Sequence, residues 1–186
     1  IQPDVSVITN INYAHAKNFK NLKQIALAKS EIINNTKDNG FIVLNADDSF
    51  FALHKKIANK KNLKILSFGI KNKNSNIKLI NIKKFINKFK VTVKINNFKT
   101  HFFTSNDFEN NIFNILAALS VMSIFLNISK INKNIFMNFQ TPDGRGDITK
   151  IKINNKSLNL IDEIYNSKPL SLKSSILNFD KIKTNK

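Results

Sequence analysis

The chain has 186 residues, carries a formal net charge of +18 and is 42% hydrophobic, with no cysteine. This length suits one domain, or one domain and part of another, and the hydrophobic content excludes wholesale disorder. The lack of cysteine excludes disulfide frameworks and fits a reducing, cytoplasmic location.

No apolar run of about 18 residues is present, which predicts no membrane insertion. The chain starts IQPDVSVITN, without signal-peptide features or an initiator Met, so we expect Ile1 to be a cut point within a longer protein.

The positive charge raises the alternative of a basic nucleic-acid-binding protein. However, Lys is scattered through every segment, and Asn, Ile and Phe are abundant beside it. These residues have AT-rich codons, so mutational bias explains much of the charge. The Phe residues lie in apolar runs rather than between arginines, as stacking platforms would. We therefore predict no nucleic-acid partner.

The first third of the chain alternates between strand and helix patterns. The predicted elements are strand 5–8, helix 21–34, a turn at Asn39-Gly40, strand 41–44, a helix capped by Asp48 or Ser49 and ending near residue 58, and strand 63–68. In the first helix, the spacing predicts a shared apolar face for Leu22, Ile25, Ala26, Ile32 and Ile33. The alternation predicts an α/β fold with a mostly parallel sheet.

The remainder begins with an antiparallel excursion. It is predicted as strands 77–82, 89–95 and 98–103, with a two-residue turn at Asn96-Asn97. An apolar helix follows over 107–126, with its core at Ile112, Ile115, Leu116, Leu119 and Met122, and a second helix near 133–139. The loop 141–147 predicts a domain boundary, before strands 148–153 and 158–161 and a helix after Pro169.

Two candidate residues lie in the first third. His15 follows a buried strand, and ligands in open α/β sheets bind beyond the carboxyl ends of strands. The alternative is a loop histidine with no role. Lys29 lies in a helix among small residues, where a crowded lysine can lose its proton. The alternative is an ordinary solvated lysine.

The other candidates lie further on. Asn111 and Asn114, on the first turns of the apolar helix, could contact a nucleotide base or could simply cap and solvate the helix. Arg145 lies between two glycines that leave room for a phosphate, although an ordinary hinge loop stays the alternative. Asp162 and Glu163 end a strand. The sequence contains no zinc pattern, hydrolase elbow or GxxxxGK[ST] phosphate loop.

Taken in order, these segments resemble the Mur ligases, and within them the branch that adds D-alanyl-D-alanine. The residues that carry the resemblance are VITNINYAHAKNF (7–19), LKQIALAKSEI (22–32), GFIVLNADD (40–48), ENNIFNILAAL (109–119), GRG (144–146) and LIDEIYNSKPLSLKSSI (160–176). The resemblance implies that residues 1–140 form the later part of a central P-loop-type ATPase domain. Residues 141–186 would begin a C-terminal Rossmann-like domain, and the phosphate loop would precede Ile1.

The resemblance also implies roles for individual residues. His15 would bind Mg²⁺, with Lys29 as a second metal ligand if it is carbamylated; both, with Arg145, would form the catalytic set. Asn111 and Asn114 would lie near the adenine of ATP, and Arg145 would reach its phosphates. The C-terminal signature would add nucleotide contacts from Asp162, Glu163, Tyr165 and Asn166. The sequence departs from the family pattern at Asn110, Glu163, Ser167 and Lys168.

The activity implied is ATP- and Mg²⁺-dependent amide-bond formation through an acyl phosphate. The substrates would be UDP-N-acetylmuramoyl-tripeptide and D-alanyl-D-alanine, and the full-length protein would be a monomer. We expect the 186-residue chain alone to be inactive, because it lacks the phosphate loop. Another Mur ligase, or a ligase similar to folylpolyglutamate synthase, stays the alternative within the superfamily.

Overall fold

The computed structural model of the chain describes residues 2–13, 19–139, 144, 147–154, 156–162 and 169–180. The chain divides into two compact units, Ile1–Asn138 and Phe139–Lys186. The first unit contains β1 (Val5–Ile8), α1 (Leu22–Lys29), α2 (Glu31–Asn35), β2 (Phe41–Asn45), α3 (Phe51–Lys60), β3 (Lys64–Gly69), β4 (Ile77–Lys84), β5 (Phe89–Ile95), β6 (Phe98–Thr104) and α4 (Glu109–Phe125). The second contains β7 (Asp147–Ile153), β8 (Lys156–Asp162) and α5 (Pro169–Asp180).

The first unit is built on one sheet with the order β1-β2-β3-β4-β5-β6. The first four strands are parallel, and β4, β5 and β6 are antiparallel, so the predicted α/β fold and antiparallel excursion are confirmed. β3 and β4 pair only at Phe68–Ile77 and Gly69–Lys78. The antiparallel part therefore extends beyond the carboxyl ends of β1, β2 and β3.

Two apolar clusters cover the two faces of this sheet. On one face, Val43 and Phe68 join Leu116 and Leu119 of α4, and Phe68 meets Phe113 edge to face with ring centroids 6.5 Å apart. On the other face, the core consists of Ile8, Ile33, Ile42, Leu44, Ala58 and Leu63. Alternate residues of each strand thus pack against helices on opposite sides, as expected for parallel strands buried on both faces.

The predicted helix over 21–34 is two helices, α1 and α2, because the chain turns at Ser30. The Ser30 N–H donates to the carbonyls of Ala26 and Leu27 at 3.0 Å, and its hydroxyl donates to the Leu27 carbonyl at 2.6 Å. The change in direction brings Ile33 fully into the core and leaves Ile32 40% exposed. The predicted shared face was therefore wrong at Ile32.

Two further predictions of local structure were wrong. Residues 133–139 form turns and an isolated bridge rather than a helix. Side-chain acceptors compete with helical hydrogen bonds there, since Asn132 Oδ1 accepts from the Asn134 N–H at 2.9 Å, and Phe136 pairs with Thr104. Neither Asp48 nor Ser49 is the N-cap of α3; the cap position is Phe50, without a side-chain cap bond.

Asparagine occupies the left-handed backbone positions of several turns. Positive φ values occur at Asn39 (62°), Asn62 (54°), Asn96 (49°) and Asn154 (47°), besides Gly144 (71°). Asn tolerates this conformation better than other residues with a Cβ. The Asn96-Asn97 turn joins β5 and β6 through the pair Ile95–Phe98, as predicted.

We expect Gly40→Ala to lower the free energy of unfolding by about 1–3 kcal/mol, the usual cost of overpacking. A Cβ at this position would lie 2.8 Å from the Lys37 carbonyl oxygen and 2.9 Å from that of Asp4. Both are backbone atoms, which cannot rotate away. Urea unfolding of the two proteins measures the difference, and an unchanged midpoint would show that the loop relaxes.

In the second unit, β7 and β8 form an antiparallel hairpin with a turn at Asn154, followed by α5. Among the residues that the structure describes in either unit, no helix is long and apolar enough to cross a membrane.

Candidate functional site at the carboxyl ends of the parallel strands

Polar residues join the ends of β1 and β2. The Asn45 side-chain amide donates to the Thr9 carbonyl at 2.9 Å, and the Ile11 N–H donates to Asp48 Oδ2 at 2.7 Å. Asp48 also accepts from the Phe50 N–H at 2.8 Å through its other oxygen. The segment after β1 is therefore held against the segment after β2, at the edge where ligands of open α/β sheets bind.

Lys29, the last residue of α1, reaches this edge. Its Nζ donates to the Asn10 carbonyl at 2.9 Å. Lys29 and Thr9 line a groove of about 740 Å³ beside β1, and Ile32 lines the same groove. The side chain is exposed rather than crowded, and its ammonium group is anchored to the Asn10 carbonyl.

Asp47 organises the loop that follows β3. One carboxylate oxygen accepts from the Ile70 and Lys71 N–H groups at 2.6 and 3.0 Å, and the other accepts from the Asn72 N–H at 2.7 Å. The Asn72 side chain returns a bond to the Ala46 carbonyl at 3.2 Å. Both oxygens of this carboxylate therefore accept hydrogen bonds from the backbone of residues 70–72.

The two asparagines of α4 differ in environment. Asn111 is half-buried and donates from Nδ2 to Asn106 Oδ1 at 2.8 Å, which steadies the loop before the helix. Asn114 is exposed. Lys29 and these asparagines lie on different helices, α1 and α4.

The remaining candidates divide between the second unit and undescribed residues. Asp162 ends β8, where it pairs in register with Asp147. His15, Arg145, Glu163, Tyr165 and Asn166 lie outside the described residues. Their assigned roles stay predictions.

The described residues supply little of a metal site by themselves. Within the described ranges, no three His, Asp or Glu side chains converge as possible metal ligands. Both oxygens of Asp47 and of Asp48 accept backbone N–H groups. A cation here would need ligands from the groove around Lys29 and from the segment that continues beyond Tyr13, which contains His15. Lys29 fits such a site only if it carries an oxygen anion, because an ammonium repels Mg²⁺.

Comparison with known proteins identifies the fold. The family described as the Mur ligase middle domain matches residues 1–122. The chain belongs to the Mur ligase family. Within that family, the UDP-N-acetylmuramoyl-tripeptide–D-alanyl-D-alanine ligase of Buchnera aphidicola subsp. Acyrthosiphon pisum is 35% identical over 176 residues, covering 94% of this chain and 38% of that protein.

Two other comparisons show the breadth of this likeness. The UDP-N-acetylmuramate–L-alanine ligase of Borreliella afzelii is 32% identical over 140 residues, covering 72% of this chain and 27% of that protein. The structure of the MurF ligase of Thermotoga maritima in complex with ADP has a TM-score of 0.76 at 22% identity, covering 95% of this chain and 39% of that chain. This Mur ligase chain thus spans well under half the length of these relatives.

Sequence reasoning missed several residues that build the site edge. It treated the segment 45–48 as a strand end and possible cap, whereas Asn45, Asp47 and Asp48 hold three neighbouring segments together. Their position directly after a fully buried strand was the available signal. It also missed His54, which is buried and lies 3.0 Å from the Ala26 carbonyl through Nε2, joining α3 to α1.

Proposed function

We propose that this chain is part of an ATP-dependent carboxylate–amine ligase that adds D-alanyl-D-alanine to UDP-N-acetylmuramoyl-tripeptide. ATP would phosphorylate the terminal carboxylate of the tripeptide, the dipeptide amine would attack the acyl phosphate, and phosphate would leave. Family membership and the likeness to a ligase of this specificity support the proposal. The observation that carries it is Lys29 Nζ, 2.9 Å from the Asn10 carbonyl at the carboxyl ends of the parallel strands.

This position of Lys29 suits the carbamate proposed for it. Once the ammonium has lost a proton to solvent, the neutral amine can add carbon dioxide and release a second proton, which leaves one hydrogen on Nζ. The bond to the Asn10 carbonyl can then persist while the two carbamate oxygens project into the groove. Oxygen anions are the ligands that Mg²⁺ prefers. Because the side chain is exposed, carbon dioxide can reach it without any rearrangement of the core. His15, five residues beyond Asn10 in the chain, would supply a second ligand.

The nucleotide contacts in this proposal are those that the family resemblance implies. Asn111 and Asn114 would contact the adenine, and Arg145 would contact the phosphates. Asp162, Glu163, Tyr165 and Asn166 would complete the nucleotide site from the C-terminal domain. Phosphoryl transfer requires such residues to position the reactants and to neutralise the charge on the phosphates.

A substrate panel tests the proposed function. A longer protein that joins this chain to a phosphate-binding loop is incubated with ATP, Mg²⁺, UDP-N-acetylmuramoyl-tripeptide and either D-alanyl-D-alanine or single amino acids. We expect phosphate release and a new amide product with the dipeptide alone. Equal or better turnover of L-alanine on UDP-N-acetylmuramate would assign the chain to another Mur ligase. The 186-residue chain is assayed in parallel, and we expect no ligation by it.

A further inference from the structure

The β4–β5 hairpin carries an unusual tip. The Phe85 N–H donates to the Lys88 carbonyl at 2.8 Å, which closes a turn with Ile86 and Asn87 at its end. Ile86 is 97% exposed and Phe85 48% exposed. Exposure of a lone apolar residue is ordinary, but an aliphatic side chain almost wholly in water at the end of a hairpin contributes nothing to the core.

Lysines surround this tip. They are Lys83, Lys84, Lys88 and Lys90. Lys83 and Lys84 are exposed, whereas Lys88 is held over the Phe103 ring with Nζ 4.0 Å from the centroid. The sequence contains no Asp or Glu between Asp48 and Asp107, so no carboxylate of this region offsets the charge.

The face of β4, β5 and β6 that carries Lys90 and Lys94 is also basic. Lys83 pairs directly with Lys90, and Lys78 pairs with Lys94, which pairs in turn with Lys99. Like charges directly opposite each other in a sheet are destabilising. Burial, with Lys90 and Lys133 nearby, lowers the pKa of His101 on this face, so its neutral form is favoured and the lysines supply the charge. An anionic partner would relieve the repulsion between them.

We propose that the Lys83–Lys90 hairpin tip docks on the surface of an anionic lipid bilayer. Ile86 and Phe85 would enter the boundary between headgroups and acyl chains, while the surrounding lysines contact lipid phosphates. Shallow apolar insertion and electrostatic attraction together are what peripheral binding requires. Nucleic acid fits this tip less well, because Ile86 cannot stack on a base and Lys88 covers one face of the Phe103 ring.

Cosedimentation of the 186-residue chain with vesicles tests the proposal. Vesicles of phosphatidylcholine alone are compared with vesicles in which phosphatidylglycerol replaces part of it, at physiological ionic strength. We expect binding to the anionic vesicles. Ile86→Asn should weaken it about fivefold, and the pair Lys83→Ser and Lys84→Ser about twentyfold.

Matched variants distinguish binding through the hairpin tip from general attraction of a basic protein to an anionic surface. Lys55 and Lys56 are adjacent, exposed lysines on α3, and Lys55 Nζ lies 6.0 Å from the Phe51 ring centroid, much as Lys84 Nζ lies 5.7 Å from that of Phe89. Lys55→Ser with Lys56→Ser removes the same charge and should weaken binding far less. Leu126→Asn, at a 54% exposed residue outside the hairpin, controls for Ile86→Asn.

Three results would overturn the proposal. One is failure to bind anionic vesicles. Another is an equal loss of binding in the α3 variants and the hairpin variants. The third combines two findings. Single-stranded oligonucleotides bind in a way that requires Lys83 and Lys84, and Ile86→Asn changes neither this binding nor the binding to vesicles. Circular dichroism of each variant confirms that the fold is intact.

Discussion

Lys29→Ala should lower the rate of D-alanyl-D-alanine ligation about 10²–10³-fold, the usual loss when one electrostatic element of an active site is removed. The prediction rests on the proposed function and applies to a longer protein that joins this chain to a phosphate-binding loop. In this fold the Lys29 side chain links α1 to the segment that follows β1. Its removal would take away both the carbamate oxygens and the tie to the Asn10 carbonyl. Steady-state phosphate release at saturating ATP measures the loss.

Two further variants of α1 are needed to interpret the loss in Lys29→Ala. Lys29→Arg keeps a positive charge and a donor but cannot form the carbamate, so we expect it to be as inactive as Lys29→Ala. Activity close to wild type in Lys29→Arg would mean that the side chain acts as a cation. Lys23→Ala removes an exposed lysine from the same helix and should leave ligation unchanged. A wild-type rate in Lys29→Ala would remove Lys29 from the catalytic set.

The second large effect concerns stability. Asp47→Ala should lower the free energy of unfolding by about 2–4 kcal/mol, because hydrogen bonds to a charged acceptor contribute more than neutral ones. The carboxylate accepts the N–H groups of Ile70, Lys71 and Asn72 at 2.6, 3.0 and 2.7 Å. This loop is the connection that carries the chain from β3 to the parallel strand β4. Urea denaturation followed by circular dichroism gives the difference.

Asp38→Ala is the matched control for Asp47→Ala. The Asp38 side chain is 85% exposed and forms a 3.2 Å surface ion pair with Lys61. Surface pairs of this kind contribute little, so we expect a loss below about 1 kcal/mol. Asp47→Asn should fall between the two, since the amide keeps one oxygen acceptor. Equal midpoints for Asp47→Ala and Asp38→Ala would show that the loop holds its conformation without the carboxylate.

Patterns of apolar residues predicted the architecture well. The run of Ile42, Val43 and Leu44 indicated a strand buried on both faces, and all three are at most 1% exposed. Alternation over 91–95 likewise located β5. These signals succeed because burial acts directly on the identity of each residue.

The failures arise where a local polar bond redirects the backbone. Ser30 ends α1 through its bonds to Leu27 and Ala26, and a spacing rule that assumes one continuous helix then assigns Ile32 to the wrong side. Asn132 likewise stabilises a turn where periodicity predicted a helix. Such bonds depend on geometry that hydrophobic spacing does not encode.

The candidate site was predictable in position but only partly in composition. A strand followed by polar residues indicated the carboxyl edge, and Lys29 does reach it. The commitment of Asp47 to the 70–72 loop depends on a contact 23 to 25 residues away in the chain, which no local pattern contains. The roles of His15 and Arg145 stay predictions from the sequence resemblance.

The mixed sheet also has a consequence for the order of folding. β4, β5 and β6 are joined by short turns, so their contacts are close in the chain, whereas the first parallel pair must bring Val5 to Phe41. Closing a short hairpin takes microseconds, and pairings of higher contact order wait for larger losses of chain entropy. We infer that the antiparallel hairpins form first and act as a template on which β3, β2 and finally β1 assemble. The segment after β1, which accepts the Lys29 hydrogen bond, would then be among the last parts of this unit to reach its native form.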